Sequence, residues 1–310
     1  GIKTQVRPWT RIKIPKLRTI WLLFCAVVYP ALAFLLLLAR KKNTKNSFMQ
    51  QMLDADLILD LGGDSYSTDY GTLSIISLCI PLLVARILGK PYYFCAQSIG
   101  PLNNTNPYKL LKLLLKDADL ITTREQISDD FLKSCGIFKN VVKTQDLAFI
   151  LPVASDSRVD EICKKENIKN NQIFAGISIS SLISRYMAGI GTVEEKEKRY
   201  IAEMAKMCDH LVDKHCYQLI FVPHVEADRI TSEKVKDCMK HQNTVSILKG
   251  DYSPADLKGI VALCDIFIGS RMHATLAALS QAIPTLTFAH NHKTLDINGA
   301  VLGQRDFLID

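Results

Sequence analysis

The chain has 310 residues, of which 48% are hydrophobic and 22% charged, a balance that describes a globular protein with large cores and excludes a disordered one. Its formal net charge of +7 is local: residues 1–46 carry ten Lys and Arg and no Asp or Glu, leaving 28 basic against 31 acidic residues elsewhere. Aromatic residues do not interleave with those cations, which argues against a nucleic-acid surface. Nine cysteines without a C-x-x-C pair argue against a zinc site or a disulfide frame, and suit reduced thiols in the cytosol.

The basic residues Lys3, Arg7, Arg11, Lys13, Lys16 and Arg18 precede an uncharged run, Ile20 to Ala39, and Arg40, Lys41, Lys42 and Lys45 follow it. A spanning helix needs roughly 20 apolar residues, so the length suffices. Cations on both sides give no orientation signal, however, and Pro30 predicts a kink in mid-run. A signal peptide does not fit, because the run is too long and no small-residue cleavage site follows. We expect either a helix buried against a sheet or one lying on an anionic membrane surface, and the run alone does not choose between them. Residues 1–46 are expected to belong to an incomplete N-terminal domain. The start at Gly1 without an initiating Met and the abrupt stop at Asp310 point to missing material at both ends.

From residue 47 onward one pattern recurs: a helix-like stretch ends in Asp, a short apolar run follows, and a polar turn closes it. The instances are Asp54 to Ser65, Asp117 to Glu125 and Leu263 to His273. Further strands are predicted at Pro91 to Gln97, Val142 to Pro152, Ala175 to Ser180, Leu219 to His224 and Ile283 to Ala289. Short continuous apolar runs alternating with helical patterns indicate parallel strands covered on both faces. Residues 152–172 are polar and irregular around a short helix, which places the boundary there: one domain over 47–155, another over 172–310. Ser253-Pro254-Ala255-Asp256 has the cap, the proline and the acid of a helix start. The expected fold class is α/β, with two doubly wound Rossmann-like domains facing a cleft.

In open α/β sheets ligands bind outside the carboxyl ends of the strands, and the polar turns fall at that edge. The most informative one is Gly269-Ser270-Arg271-Met272-His273, where a helix begins. Unpaired N–H groups and the positive dipole end attract anions there, and Arg271 and His273 add a guanidinium and an imidazole. An Arg paired with a neighbouring carboxylate and a His satisfied in the core fit this stretch equally well. Gly62-Gly63-Asp64-Ser65 lets backbone approach a ligand, with Asp64 as a base or sugar ligand or simply a helix cap; it is neither a P-loop nor a dinucleotide fingerprint. Gln97, Ser98, Arg124, Ser178 and His224 also sit at strand ends, and each has an equally ordinary structural reading. Arg185 and Tyr186 lie in an expected mobile loop. His290 and His292 are weak evidence for a metal, and no other cluster asks for one.

Taken in order, Leu61-Gly-Gly-Asp-Ser65, Ala96-Gln-Ser-Ile-Gly-Pro101, Thr123-Arg-Glu125 with Ser128, Asp146-Leu-Ala-Phe149, Gly176-Ile-Ser178, Pro223-His224 with Asp228, Gly250-Asp-Tyr252 and Gly269 to His273 resemble the polysaccharide pyruvyl transferase family over residues 50–290. Members begin with a glycine- and Asn-containing turn that has no counterpart here, which again suggests truncation. The resemblance implies a GT-B-like fold and transfer of an enolpyruvyl-derived unit from phosphoenolpyruvate to a sugar, with no metal or further cofactor. It carries the donor site onto Arg271 and His273; Asp64, from its strand-end position, is the candidate base. Gly62, Gly63, Ser65, Gln97, Ser98, Arg124, Ser178, His224 and Ser270 are the expected substrate-binding residues. The expected partners are phosphoenolpyruvate, a saccharide acceptor, free or lipid-linked, and a membrane surface touched by residues 1–46. Two other readings are a nucleotide-sugar glycosyltransferase and a non-catalytic membrane-associated polysaccharide-binding protein.

Overall fold

Two all-parallel sheets organise the chain, seen in a computed structural model that describes residues 15–68, 71–102, 106–169, 172–187, 190–289 and 294–309. Of Pro15, Arg185, Tyr186, Ala300 and Val301 it describes the backbone alone. The chain divides into two compact units, Gly1–Asp146 and Leu147–Asp310.

In the first unit, β1 (Ile58–Asp60), β2 (Tyr92–Gln97), β3 (Leu120–Thr123) and β4 (Val141–Lys143) lie side by side in chain order. Helices α1 (Pro15–Leu38), α2 (Ser47–Asp54), α3 (Gly71–Ile87), α4 (Asn106–Lys116) and α5 (Gln126–Ser134) surround them. Helix α4 buries Tyr108, Leu111, Leu114 and Leu115, the stripe that a 3.6-residue period puts on one face. Helix α3 is apolar nearly all round and buries Ile75, Leu78, Cys79, Ile80, Leu82 and Val84, with Pro81 inside it. Against it lies α1, which runs as one helix through Pro30 and so is not ended there. Its residues Leu22, Cys25, Tyr29, Ala33 and Leu36, spaced three or four apart, are buried. After the turn, Asn46 caps α2 by accepting a hydrogen bond from the Met49 amide (3.0 Å), and Phe48 stacks obliquely on Tyr29 at 4.6 Å.

The second unit has the strand order β10-β9-β8-β5-β6-β7. Its strands are β5 (Phe174–Ser178), β6 (Gln218–Phe221), β7 (Val245–Ile247), β8 (Ile266–Gly269), β9 (Thr285–Phe288) and β10 (Leu308–Ile309). The chain leaves β5 in one direction through β6 and β7, then returns to β8 on the other side of β5. The order therefore reverses between β5 and β8, the place where doubly wound sheets bind ligands. Helices α6 (Asp156–Glu166), α7 (Ile183–Tyr186), α8 (Val193–His215), α9 (Glu226–Cys238), α10 (Pro254–Val261) and α11 (Met272–Leu279) complete it, with a π-helical segment at Leu295–Val301. Helix α10 begins with the expected capping box, in which Ser253 and Asp256 each bond the other's backbone and Pro254 sits in the first turn.

Two expectations need correction. The strand predicted from Val142 to Pro152 is only the short β4, and Leu147–Phe149 is a 3-10 turn. The segment 147–155, assigned from sequence to the first domain, packs with the second unit. The Lys258 ammonium, only 3% exposed, donates to the carbonyls of Ala148 (3.1 Å), Phe149 (3.4 Å) and Leu151 (2.9 Å). The Ala154 amide donates to the Ala255 carbonyl at 3.1 Å. Burial pushes the Lys258 pKa down, but three carbonyl partners satisfy its three donors. Helix α6 follows the same side, with Val159 and Ile162 in one core with Ile220, Ile260 and Phe267.

Candidate active site

The sequence β8, turn, α11 is as expected, and it lies at the reversal point of the second sheet. Ser178 ends β5 in register with Gly269 of β8, and the Ser270 amide donates to the Ser178 carbonyl at 2.9 Å. Gly269 permits the tight fit: a Cβ there would lie 2.8 Å from the Thr275 methyl and 2.9 Å from the Phe267 ring. Arg271 is the cap residue in extended conformation, and its side chain makes no capping bond. Among the described residues no acceptor pairs with the amides of Met272 and His273, as expected for the first turn of a helix. The Ser178 hydroxyl is fully buried and has no hydrogen-bond partner among the described residues.

Arg271 is committed to a carboxylate that the sequence reading included only as part of a motif. Its Nε donates to Asp228 Oδ2 at 2.8 Å and its Nη2 to Oδ1 at 2.7 Å, a two-pronged pair of the strong kind. Asp228, in the first turn of α9, has no exposed surface, and its Oδ1 also accepts from the Ser181 amide (3.0 Å) and hydroxyl (3.2 Å). Of the two readings the sequence left open for Arg271, the pairing with a carboxylate is the one observed. Asp228 occupies that fork and fixes the guanidinium plane, leaving Nη1 without a partner among the described residues.

Three further candidate groups follow strands β6 and β8. His273, on the second residue of α11, is exposed. His224 follows β6, and its Nδ1 lies 3.2 Å from the Val222 carbonyl, so Nδ1 carries the proton and Nε2 is an acceptor when the ring is neutral. Burial lowers the His224 pKa, opposed by the Val222 carbonyl and Asp228 and assisted by His273 and Arg271. Ser270, fully buried, does not present a free hydroxyl as expected of a ligand residue: it shares a 3.1 Å hydrogen bond with Tyr200 of α8. Burial pushes the Tyr200 phenol up to about 12, so it stays neutral, and either hydroxyl can donate in that bond.

The His224 shift has a measurable consequence. A folded-state pKa below the unfolded value means that the unfolded chain binds the proton first as pH falls. The neutral ring's contribution to stability is then complete above about pH 6.5 and declines below it. In a proton NMR titration the His224 resonance should move at lower pH than that of a free histidine. A midpoint at or above about 6.5 would contradict the assignment.

The first unit has its own polar edge. Gly63 takes φ +72°, a left-handed turn that glycine allows, and its carbonyl accepts from the Ser98 amide at 2.7 Å. Asp64 is half-buried, and Ser65 donates its hydroxyl to the Gly62 carbonyl at 3.2 Å. Arg124 does not point to a ligand, contrary to expectation. It is 3% exposed and donates from Nη1 to Asp146 Oδ2 (2.6 Å) and from Nε to Ser98 Oγ (2.8 Å). Ser98 in turn donates to Glu125 Oε2 (2.9 Å), and Ser128 donates to Glu125 Oε1. Ser98 and Arg124 are thus parts of a buried ionic frame that ties the ends of β2, β3 and β4 together.

Gln97 donates from Nε2 to the Asp60 carbonyl at 2.9 Å, while its Oε1 is buried without a partner among the described residues. Asp60, which sequence reasoning missed, fastens the Gly62–Ser65 turn: it accepts from the Gly62 amide (2.8 Å) and the Tyr66 hydroxyl (2.5 Å). Its position as the last residue of a strand before two glycines was the available signal. Among the described residues no three His, Cys, Asp or Glu side chains group as a metal site. His290 and His292, and the side chains of Arg185 and Tyr186, lie outside the described residues.

The fold and this edge define a class. The chain is an α/β protein with two Rossmann-like units of the GT-B type, and a Staphylococcus aureus structure described as the MnaA–UDP co-structure shares its fold (TM-score 0.52, 13% identity, 86% of this chain and 63% of that one). E. coli ADP-heptose LPS heptosyltransferase II gives a TM-score of 0.41 at 12% identity, over 68% of this chain and 59% of that one. Within that class the chain belongs to the polysaccharide pyruvyl transferase family, whose model matches residues 5–292. It is similar to the amylovoran biosynthesis protein AmsJ of Erwinia amylovora, 20% identical over 264 residues. That match covers 81% of this chain and 61% of AmsJ, so the chain spans less than two thirds of its relative's length.

Proposed function

We propose that the protein is a transferase of polysaccharide biosynthesis that moves a pyruvyl group from phosphoenolpyruvate onto a sugar as a pyruvate ketal. The observation that carries this reading is the position of the oriented Arg271 and the free amides of α11 at the reversal point of the sheet, in a member of this family. The donor is a small trianion, and these are groups that bind anions.

In this reading the phosphate or carboxylate of the donor lies on the α11 amides and Arg271 Nη1, while Asp228 holds the guanidinium still. The donor's methylene carbon takes a proton, C2 becomes oxocarbenium-like, and a sugar hydroxyl adds to it. The C2–phosphate bond then breaks and a second hydroxyl closes the ketal. Of the two hydroxyl protons lost overall, one is balanced by the new methyl group and the other leaves on phosphate. The helix end and Arg271 stabilise charge building on the departing phosphate. His273, exposed on the first turn of α11, is the assigned acid or phosphate ligand. Ser178, whose buried hydroxyl has no partner among the described residues, is the assigned donor to the substrate.

The test uses carbon-labelled phosphoenolpyruvate and lipid-linked or free saccharides from a polysaccharide-producing cell. Acid-labile label in the saccharide, with one phosphate released per label, is expected, together with its loss in His273→Gln. Phosphate release without label in saccharide would overturn ketal transfer.

A further inference from the structure

Helix α1 offers two faces. Leu22, Cys25, Tyr29, Ala33 and Leu36 are buried against the first unit, whereas Ile20, Phe24, Val27, Leu35 and Leu38 are 52–70% exposed. The most apolar 18-residue window of Lys16–Leu38 is only 28% buried, too little for a core helix. Trp21 and Phe24, both exposed, stack at 5.2 Å on the outer surface. Water-facing residues of a packed helix are ordinarily polar, and a contiguous apolar face marks an interaction site.

Charge indicates what covers it. Exposed Lys16 and Arg18 stand at one end of the helix, and Arg40, Lys41, Lys42 and Lys45 at the other. None of these six has a carboxylate partner among the described residues. No acidic side chain is present before Asp54, so the whole strip is complementary to a negatively charged apolar boundary. We infer that α1 docks the protein on an anionic lipid bilayer, lying in its surface with the outer apolar face in the acyl boundary and the basic ends on the headgroups. Length and composition alone would also let this helix cross a membrane. Its inner face is committed from Leu22 to Leu36 to the unit that holds β1–β4, which favours lying over spanning. Docking would keep the enzyme beside membrane-bound saccharide acceptors. That consequence rests on the proposed function, whereas the docking itself does not.

The test is flotation of the 310-residue chain with vesicles of phosphatidylcholine alone or with about a third phosphatidylglycerol, the lipid range over which surface charge acts. Co-flotation with the anionic vesicles is expected, weakened at least tenfold by 0.5 M salt or by Arg40→Glu/Lys41→Glu/Lys42→Glu. The exposed-face variant Phe24→Ser/Val27→Ser/Leu35→Ser should abolish it while the circular dichroism spectrum and phosphoenolpyruvate binding stay unchanged. Absence of flotation, flotation that the variants leave intact, or a dimer that the exposed-face variant dissociates without any lipid binding would each overturn the proposal. Donor binding measured on the same samples reports separately on the chemistry.

Discussion

Arg271→Ala is expected to lower the stability of the protein by about 3–5 kcal/mol, read as a fall in the urea midpoint without a change in slope. The substitution leaves the Asp228 carboxylate fully buried with two bonds from Ser181 and no cation. Asp228→Ala should cost less, because the Arg271 side chain it abandons is 22% exposed and can reach water. The order of the two effects is the informative result. Equal small losses, below about 1 kcal/mol, would mean that the pair is a weak surface contact. The same asymmetry dictates how function is examined: Arg271→Lys keeps a cation beside Asp228 while removing the planar fork, so it separates binding from folding where Arg271→Ala does not.

Arg124→Met is expected to be at least as damaging, again by about 3–5 kcal/mol, because it takes the cation away from the buried carboxylates of Asp146 and Glu125, with side chains 5% and 2% exposed. A loss below about 1 kcal/mol would contradict the buried ionic role of Arg124.

These two arginines also mark how far the sequence could be read. Both follow a parallel strand and precede a helix, and in both cases the strand-end position was legible from the apolar run before them. Their partners were not. Asp228 lies 43 residues from Arg271, and Asp146 lies 22 from Arg124, and only folding brings them within a hydrogen bond. An arginine at a binding edge and an arginine tied to a carboxylate look alike in one dimension, and here each is tied. The start of α10 was readable because Ser253, Pro254 and Asp256 act locally. The boundary was not, because it depends on the reach of Lys258 to carbonyls about a hundred residues earlier. Strands β7 and β10, with three and two residues, are too short to leave a periodic trace.

The most direct measurement is calorimetric titration of phosphoenolpyruvate into the 310-residue chain, with Arg271→Lys alongside and uridine diphosphate as the competing anion. Saturable binding to the unaltered protein, weakened at least tenfold in Arg271→Lys and not displaced by uridine diphosphate, is expected. Binding of uridine diphosphate by folded protein that ignores phosphoenolpyruvate would contradict pyruvyl transfer and point to a nucleotide-sugar donor at the end of β8.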